Sequence, residues 1–172
     1  MKKYSLAQAM KVDHIHNEDY FCNSHFMLKK SILNKTELKR IEKVDMDTGR
    51  LKSILDHTIE PIEQDLATHK KADKFKPYKV LNVNDISNRK NAKMLYDSYT
   101  GVTLNEYYYN FICKVKKCTI HVGKTIHSPL TVFDKQGEFV GIVLPMRIKE
   151  NESDGMDYNE YMKALENIKS SK

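Results

Sequence analysis

Seven histidines, three cysteines and one lysine-rich run are the side chains here with the chemistry to act on something. His14 and His16 stand two apart, which on a strand puts both on one face. A zinc centre needs three or four such ligands. His25, His121 and His127 lie elsewhere, with Cys22 near His25, and none of them stands at motif spacing. No metal and no cofactor is expected. A Cys–His nucleophile pair can be drawn with Cys22 or Cys113, but no local signature of a catalytic cysteine accompanies either. The six glycines are scattered, so no loop cradles a phosphate. Asp45 and Asp47 open like a calcium loop, yet Asp56 holds the twelfth position where a bidentate Glu belongs, so a turn is expected. No carboxylate pair is marked out from the surface charge. The expectation is a protein that is not an enzyme.

The lysine-rich run covers 69–79, where Lys70, Lys71, Lys74 and Lys76 alternate with Phe75 and Tyr78. Lysines with interleaved aromatics suit phosphate contact with stacking support. The bland alternative is a solvated loop. The net charge of +6, from 29 basic and 23 acidic residues, permits contact with nucleic acid without requiring it.

The elements that must position these groups are clearest in 102–148. Thr103 and Glu106 fit a capping box, and Tyr108, Phe111, Ile112 and Val115 then follow at helical spacing. Lys114, Lys116 and Lys117 crowd the end of that helix, where cations suit its dipole. Three strands follow: 119–122, 129–133 and 139–144. The turn Asp134-Lys135-Gln136-Gly137 joins the last two. The final strand is apolar almost throughout, as in a strand buried on both faces, and Pro145 marks its exit.

Upstream, 4–16 reads as a strand or a short helix, 17–19 as a turn, and 20–28 as strand. Asn34 and Glu37 form a capping box, with Leu33 placed to staple onto Leu38 and Ile41 continuing the apolar face. The segment 45–49 is expected to end that helix. Leu51, Ile54, Leu55, Ile62 and Leu66 make a helical stripe, which Pro61 either kinks or restarts. A short strand at 80–83 and a helix from Asp85 or Ser87 through Met94 and Leu95 to about Tyr99 are expected next. Gly101 is well placed to end it. Beyond 150, a polar linker leads to Tyr158, Tyr161, Met162, Leu165 and Ile168 at helical spacing, an amphipathic helix that packs on its own domain or presents itself to a partner groove.

In 102–148, Val102 with Tyr107 and Tyr108, then Ser128-Pro129-Leu130, then Val143-Leu144-Pro145-Met146-Arg147-Ile148 follow in an order that resembles the C-terminal domain of a bacterial DNA polymerase sliding clamp, the β processivity factor. The segment 23–28 is faintly similar to a strand-turn that lines the clamp's peptide groove, with Ser24 in place of its Gly and Phe26 in place of its Arg. The resemblance implies a binding module in DNA replication or on a phage or mobile element. It also implies a protein partner held in an apolar groove lined by Val143, Leu144, Pro145, Met146 and Arg147. A clamp ring holds six such domains, so encircling DNA would require a homo-oligomer. Residues 30–100 and the tail after Arg147 depart from the clamp pattern. The rival expectation is a small basic regulatory or anti-defence protein that binds nucleic acid or a host protein through Lys70, Lys71, Lys74 and Lys76.

The expected architecture is therefore α+β. One domain of mainly antiparallel sheet spans 1–150, with a clamp-domain-like second half and a helical insertion at about 34–99, and 151–172 is appended. At 40% hydrophobic and 30% charged residues, 172 residues suffice for one core. No apolar run approaches a membrane span. Three cysteines without a C-x-x-C pair fit reduced thiols. The start Met1-Lys2-Lys3-Tyr4 has the basic residues of a signal peptide, but Gln8, Lys11 and Asp13 break the apolar core that should follow. A cytoplasmic location is expected.

Overall fold

The apolar segment Phe139–Val143 becomes the middle strand of a seven-stranded sheet. The computed structural model describes residues 5–6, 14–72, 75–77, 94–97, 102–123, 125 and 127–145. In chain order the strands are β1 (His14–His16), β2 (Tyr20–Asn23), β3 (Phe26–Lys29), β4 (Lys70–Lys71), β5 (Phe75–Pro77), β6 (Met94–Asp97), β7 (Thr103–Asn105), β8 (Thr119–Val122), β9 (Leu130–Phe133) and β10 (Phe139–Val143). The large sheet runs β1-β2-β3-β10-β9-β8-β4, and β5-β6-β7 form a second, three-stranded sheet. Every pairing among the described residues is antiparallel. The fold is α+β in a single body, as the strand and helix patterns imply.

Among the described residues, three helices cover the sheet. The first, α1 (Lys35–Ile41), starts with the capping box read from the sequence: Asn34 Oδ1 accepts from the Glu37 N–H and Glu37 Oε2 accepts from the Asn34 N–H. The second, α2, runs through Thr48–Ile54, a wide π turn over Leu55–Ile59, and Glu60–Glu63. The wide turn lies immediately before Pro61, whose ring and missing N–H rule out a regular helical hydrogen bond there. Pro61 therefore opens the last segment of one continuous helix. Asp47 caps its start, accepting from the Arg50 N–H, so 45–49 begins a helix instead of only ending one, and Gly49 lies inside it. The third, α3, runs through Glu106–Tyr109 and a π stretch, Asn110–Val115. Its cap is Asn105, whose Oδ1 accepts from the Tyr107 N–H; Thr103 lies in β7, its side chain buried. Asn is at least as good a cap as Thr, and β7 takes up the residues before it. Lys117 ends α3 with φ +60°, and the Cys118 N–H then closes on the Ile112 carbonyl.

Side chains alternate across the sheet and divide the core in two. One face carries Phe21, Leu28, Val132, Ile120, Leu130 and Val143 against Tyr108, Phe111 and Ile112 of α3. The other carries Cys22, Met27, Phe139 and Ile142 against Leu51 and Ile59 of α2. A bulge keeps both faces filled. Pairing of β10 with β9 shifts register between Phe139 and Gly141, leaving Val140 as the extra residue. Phe139 and Ile142 therefore share the α2 face, while Val140 and Val143 share the α3 face.

Three expectations are corrected. Residues 20–28 form a hairpin instead of one strand, because Asn23 Oδ1 accepts from the N–H groups of His25 and Phe26 and folds the chain back. Met94–Asp97 is a strand between β5 and β7, not helix; the consecutive Met94, Leu95 and Tyr96 fit either period over so short a run. Among the described residues of the insertion, the last helical element is the 3₁₀ turn Leu66–Thr68, and the elements after it, Lys70–Lys71, Phe75–Pro77 and Met94–Asp97, are strands. The expected strand at 80–83 and helix at 158–168 lie outside the described residues, as does Gly101. Among the described residues, no helix is long and apolar enough to cross a membrane.

Candidate functional site

Two regions hold the residues singled out from the sequence. The first is the exit of β10. Five consecutive residues, 139–143, are buried. The next, Leu144, is 41% exposed, although its N–H is still held by the His25 carbonyl at 2.8 Å. Pro145 is half-buried and ends the ladder, as its missing N–H requires. The β2–β3 turn lies alongside, because Phe26 pairs with Val143. His25 from that turn lies 5.2 Å, centroid to centroid, from the buried ring of Tyr108. The faint likeness of 23–28 to a groove segment thus falls beside the predicted groove residues. Val143 is a correction: at 0% exposure it belongs to the core and backs this surface instead of lining it. Met146 and Arg147 lie outside the described residues.

The second region is the β4 edge. Lys70 and Lys71 form the whole of β4 and are both exposed. They pair with Val122 and His121 of β8. Lys74 lies outside the described residues, and Lys76 sits in β5, on the other sheet. The lysine run is therefore divided between two strands instead of forming one stripe. Sequence reasoning missed what joins Lys71 here. His69 Nδ1 lies 3.2 Å from Thr131 Oγ1, and the ring packs over Gly123, where an added Cβ would stand 3.0 Å from His69 Cε1. His121 rests on Phe133, with centroids 4.4 Å apart, and is hydrogen-bonded to the His69 backbone. Burial holds the His121 ring below its ordinary pKa of 6.5, with the charges of His69 and Lys71 adding to the effect and that hydrogen bond opposing it. Thr125 and Ser128 share a hydrogen bond of 2.7 Å in the β8–β9 loop. The signal for this grouping was the parity of residues 69, 71, 121, 131 and 133, readable only once β4, β8 and β9 are known to be neighbours.

Two other chemical candidates, His16 and Cys22, have structural partners. His16 is buried; its Nε2–H donates to the Val44 carbonyl at 2.6 Å, and Lys30 Nζ lies 3.0 Å from Nδ1. A carbonyl can only accept, so His16 is the Nε2–H tautomer and its lone pair faces the lysine. Cys22 Sγ donates to the Asn23 carbonyl. Burial pushes the Cys22 and Cys118 thiols up to about 11 and Cys113 up to about 12, far from the thiolate that nucleophilic chemistry needs. Among the described residues, no group of three or more His, Cys, Asp or Glu side chains could hold a metal ion. No protein-family model, curated protein or solved structure matches this chain.

Proposed function

We propose that the protein is a non-enzymatic binding module resembling one domain of a DNA sliding clamp, acting in DNA replication or on a phage or mobile element. In this reading it takes a short apolar peptide at the exit of β10. The observation that carries it is the abrupt exposure of Leu144 after five buried residues, on a backbone still tied to His25. The order α3, β8, the Ser128-Pro129 loop, β9, β10 and Pro145 agrees with the resemblance in 102–148. An exposed leucine beside a proline suits an apolar peptide whose own backbone needs few partners. The raised thiol pKa values support a role other than nucleophilic catalysis. Fluorescence anisotropy with a labelled clamp-motif peptide tests the reading. Leu144→Ala and Pro145→Ala are each expected to weaken binding by about ten-fold, the effect of one moderate contact residue of about 1.4 kcal/mol. Binding that survives both changes would remove the groove. Light scattering with and without circular DNA then separates a ring of copies from a monomer that presents a groove.

A second reading is favoured by the exposure of both β4 lysines: direct contact with nucleic acid at the sheet edge. Lysines also protect an edge strand against unwanted pairing. A salt titration of DNA binding by Lys70→Gln and Lys71→Gln separates the two roles, because only contact with phosphates makes affinity fall steeply with salt.

A further inference from the structure

One row of paired residues crosses all seven strands on the α2 face: Ile15, Cys22, Met27, Ile142, Thr131, His121 and Lys71. Its character changes along the way. The apolar end, over β1, β2, β3 and β10, is roofed by Leu51 and Ile59 of α2, with Ile54, Leu55 and Ile62 packed around them. Towards β9, β8 and β4 the roof thins out, with Phe133 and His121 half-buried and Lys71 exposed. The two rings do not lie loose on that shelf. His121 sits 4.4 Å from Phe133, and Phe133 meets the buried Phe139 edge to face at 5.9 Å. His121 is further fixed by its hydrogen bond to the His69 backbone. The outcome is a braced aromatic ledge with an exposed cation directly across from it.

We infer that this ledge is a platform for single-stranded nucleic acid, on which an unpaired base stacks against His121 while Lys71, paired with it on the same face, contacts a flanking phosphate. The inference rests on the second reading above and makes it specific to single strands. Charge complementarity with a polyanion comes from the exposed Lys71 on this face and from the chain's net charge of +6. The preference for unpaired bases follows because a duplex hides its π faces, whereas a single strand offers one at every nucleotide. A neutral imidazole is a suitable surface, and burial favours that form here. Among hydroxyls nearby, Thr125 and Ser128 bond to each other and Thr131 is fully buried, so stacking and charge, more than base-edge hydrogen bonds, set recognition.

The test measures anisotropy of a labelled 12-nucleotide oligo-dT, and of a duplex of the same length, on the full chain over a salt series. The expected result is preference for the single strand. His121→Ala should weaken it about ten-fold, within the range for one base–aromatic stack. His121→Phe should restore it, and a thermal melt of each variant confirms that both are folded. Lys71→Gln should lower the slope of log affinity against log salt by about 0.7, one single-strand phosphate. Equal affinity for both forms, indifferent to His121→Ala but lost with Lys70→Gln and Lys71→Gln, would overturn the platform and leave the phosphate-contact reading standing. Binding that no variant changes would place the contact elsewhere and overturn both, as would no binding at low salt.

Discussion

Replacing Gly141 by alanine should damage this protein more than any other single added methyl group at a described glycine. Gly141 stands at the bulge in the central strand with φ +139°, a conformation that L side chains rarely adopt. A Cβ there would lie 2.1 Å from the Met27 carbonyl oxygen and 2.9 Å from Leu28 Cα. Both are backbone atoms of β3, which pairs with β10 at this point, so neither can swing aside as a side chain would. Relief needs β3 to retreat by about 1 Å, which breaks ladder hydrogen bonds and opens both halves of the core. Backbone strain of about 1–3 kcal/mol and overpacking of similar size together suggest a loss of about 3–5 kcal/mol. Against a total stability of about 5–15 kcal/mol, that leaves a marginal fold. Gly137 and Gly49 are internal controls, since an added Cβ meets nothing within 4 Å at either. Gly137→Ala should cost about 1 kcal/mol for its φ of +82° alone, whereas Gly49→Ala, inside α2, should be neutral or stabilising by up to about 1 kcal/mol. Urea unfolding followed by circular dichroism reads all three. A Gly141→Ala variant within about 1 kcal/mol of the parent would refute the bulge geometry, and with it the account of how β10 serves two cores.

Three further outcomes follow from particular contacts. Glu37 both completes the α1 capping box and pairs with Lys116 at the end of α3, with both side chains largely buried. Glu37→Gln should therefore cost about 1–3 kcal/mol in denaturant unfolding, more than an exposed ion pair would. Titration with a thiol reagent at pH 8 should find Cys22, Cys113 and Cys118 unreactive in the native protein and all three reactive in denaturant, because burial raises each thiol pKa. A fast-reacting native thiol would contradict their placement. His121 titrates below its ordinary 6.5 in the folded chain, so the unfolded chain takes up that proton first. Its contribution to stability is complete above about pH 6.5 and is lost as pH falls through the lower folded value, so thermal melts of His121→Gln should show a flatter pH profile in that window.

Local rules reached much of this architecture because they depend on neighbours in the chain. The Asn34–Glu37 box, the Gly137 turn, the helical stripe through Phe111 and Ile112, and the strand ending at Pro145 each follow from spacing or from one residue's backbone limits. Where local signals were ambiguous, the reading failed. Met94–Asp97 is too short for periodicity to separate strand from helix, and Thr103 was an acceptable cap until β7 claimed it for a sheet.

The α+β character and the apolar run that becomes β10 follow from composition and periodicity, which are local properties. Tertiary structure alone decided which residues meet. It buried Val143 while exposing Leu144, set His25 beside Tyr108, and split Lys70 and Lys71 from Lys76. It also brought His69, His121, Thr131 and Phe133 together from segments more than fifty residues apart at the extremes. The physical reason is that strand order and register are chosen by the whole core at once: a single bulge at Gly141 settles which face every residue of β10 presents, and no window of sequence contains the strands against which that choice is made.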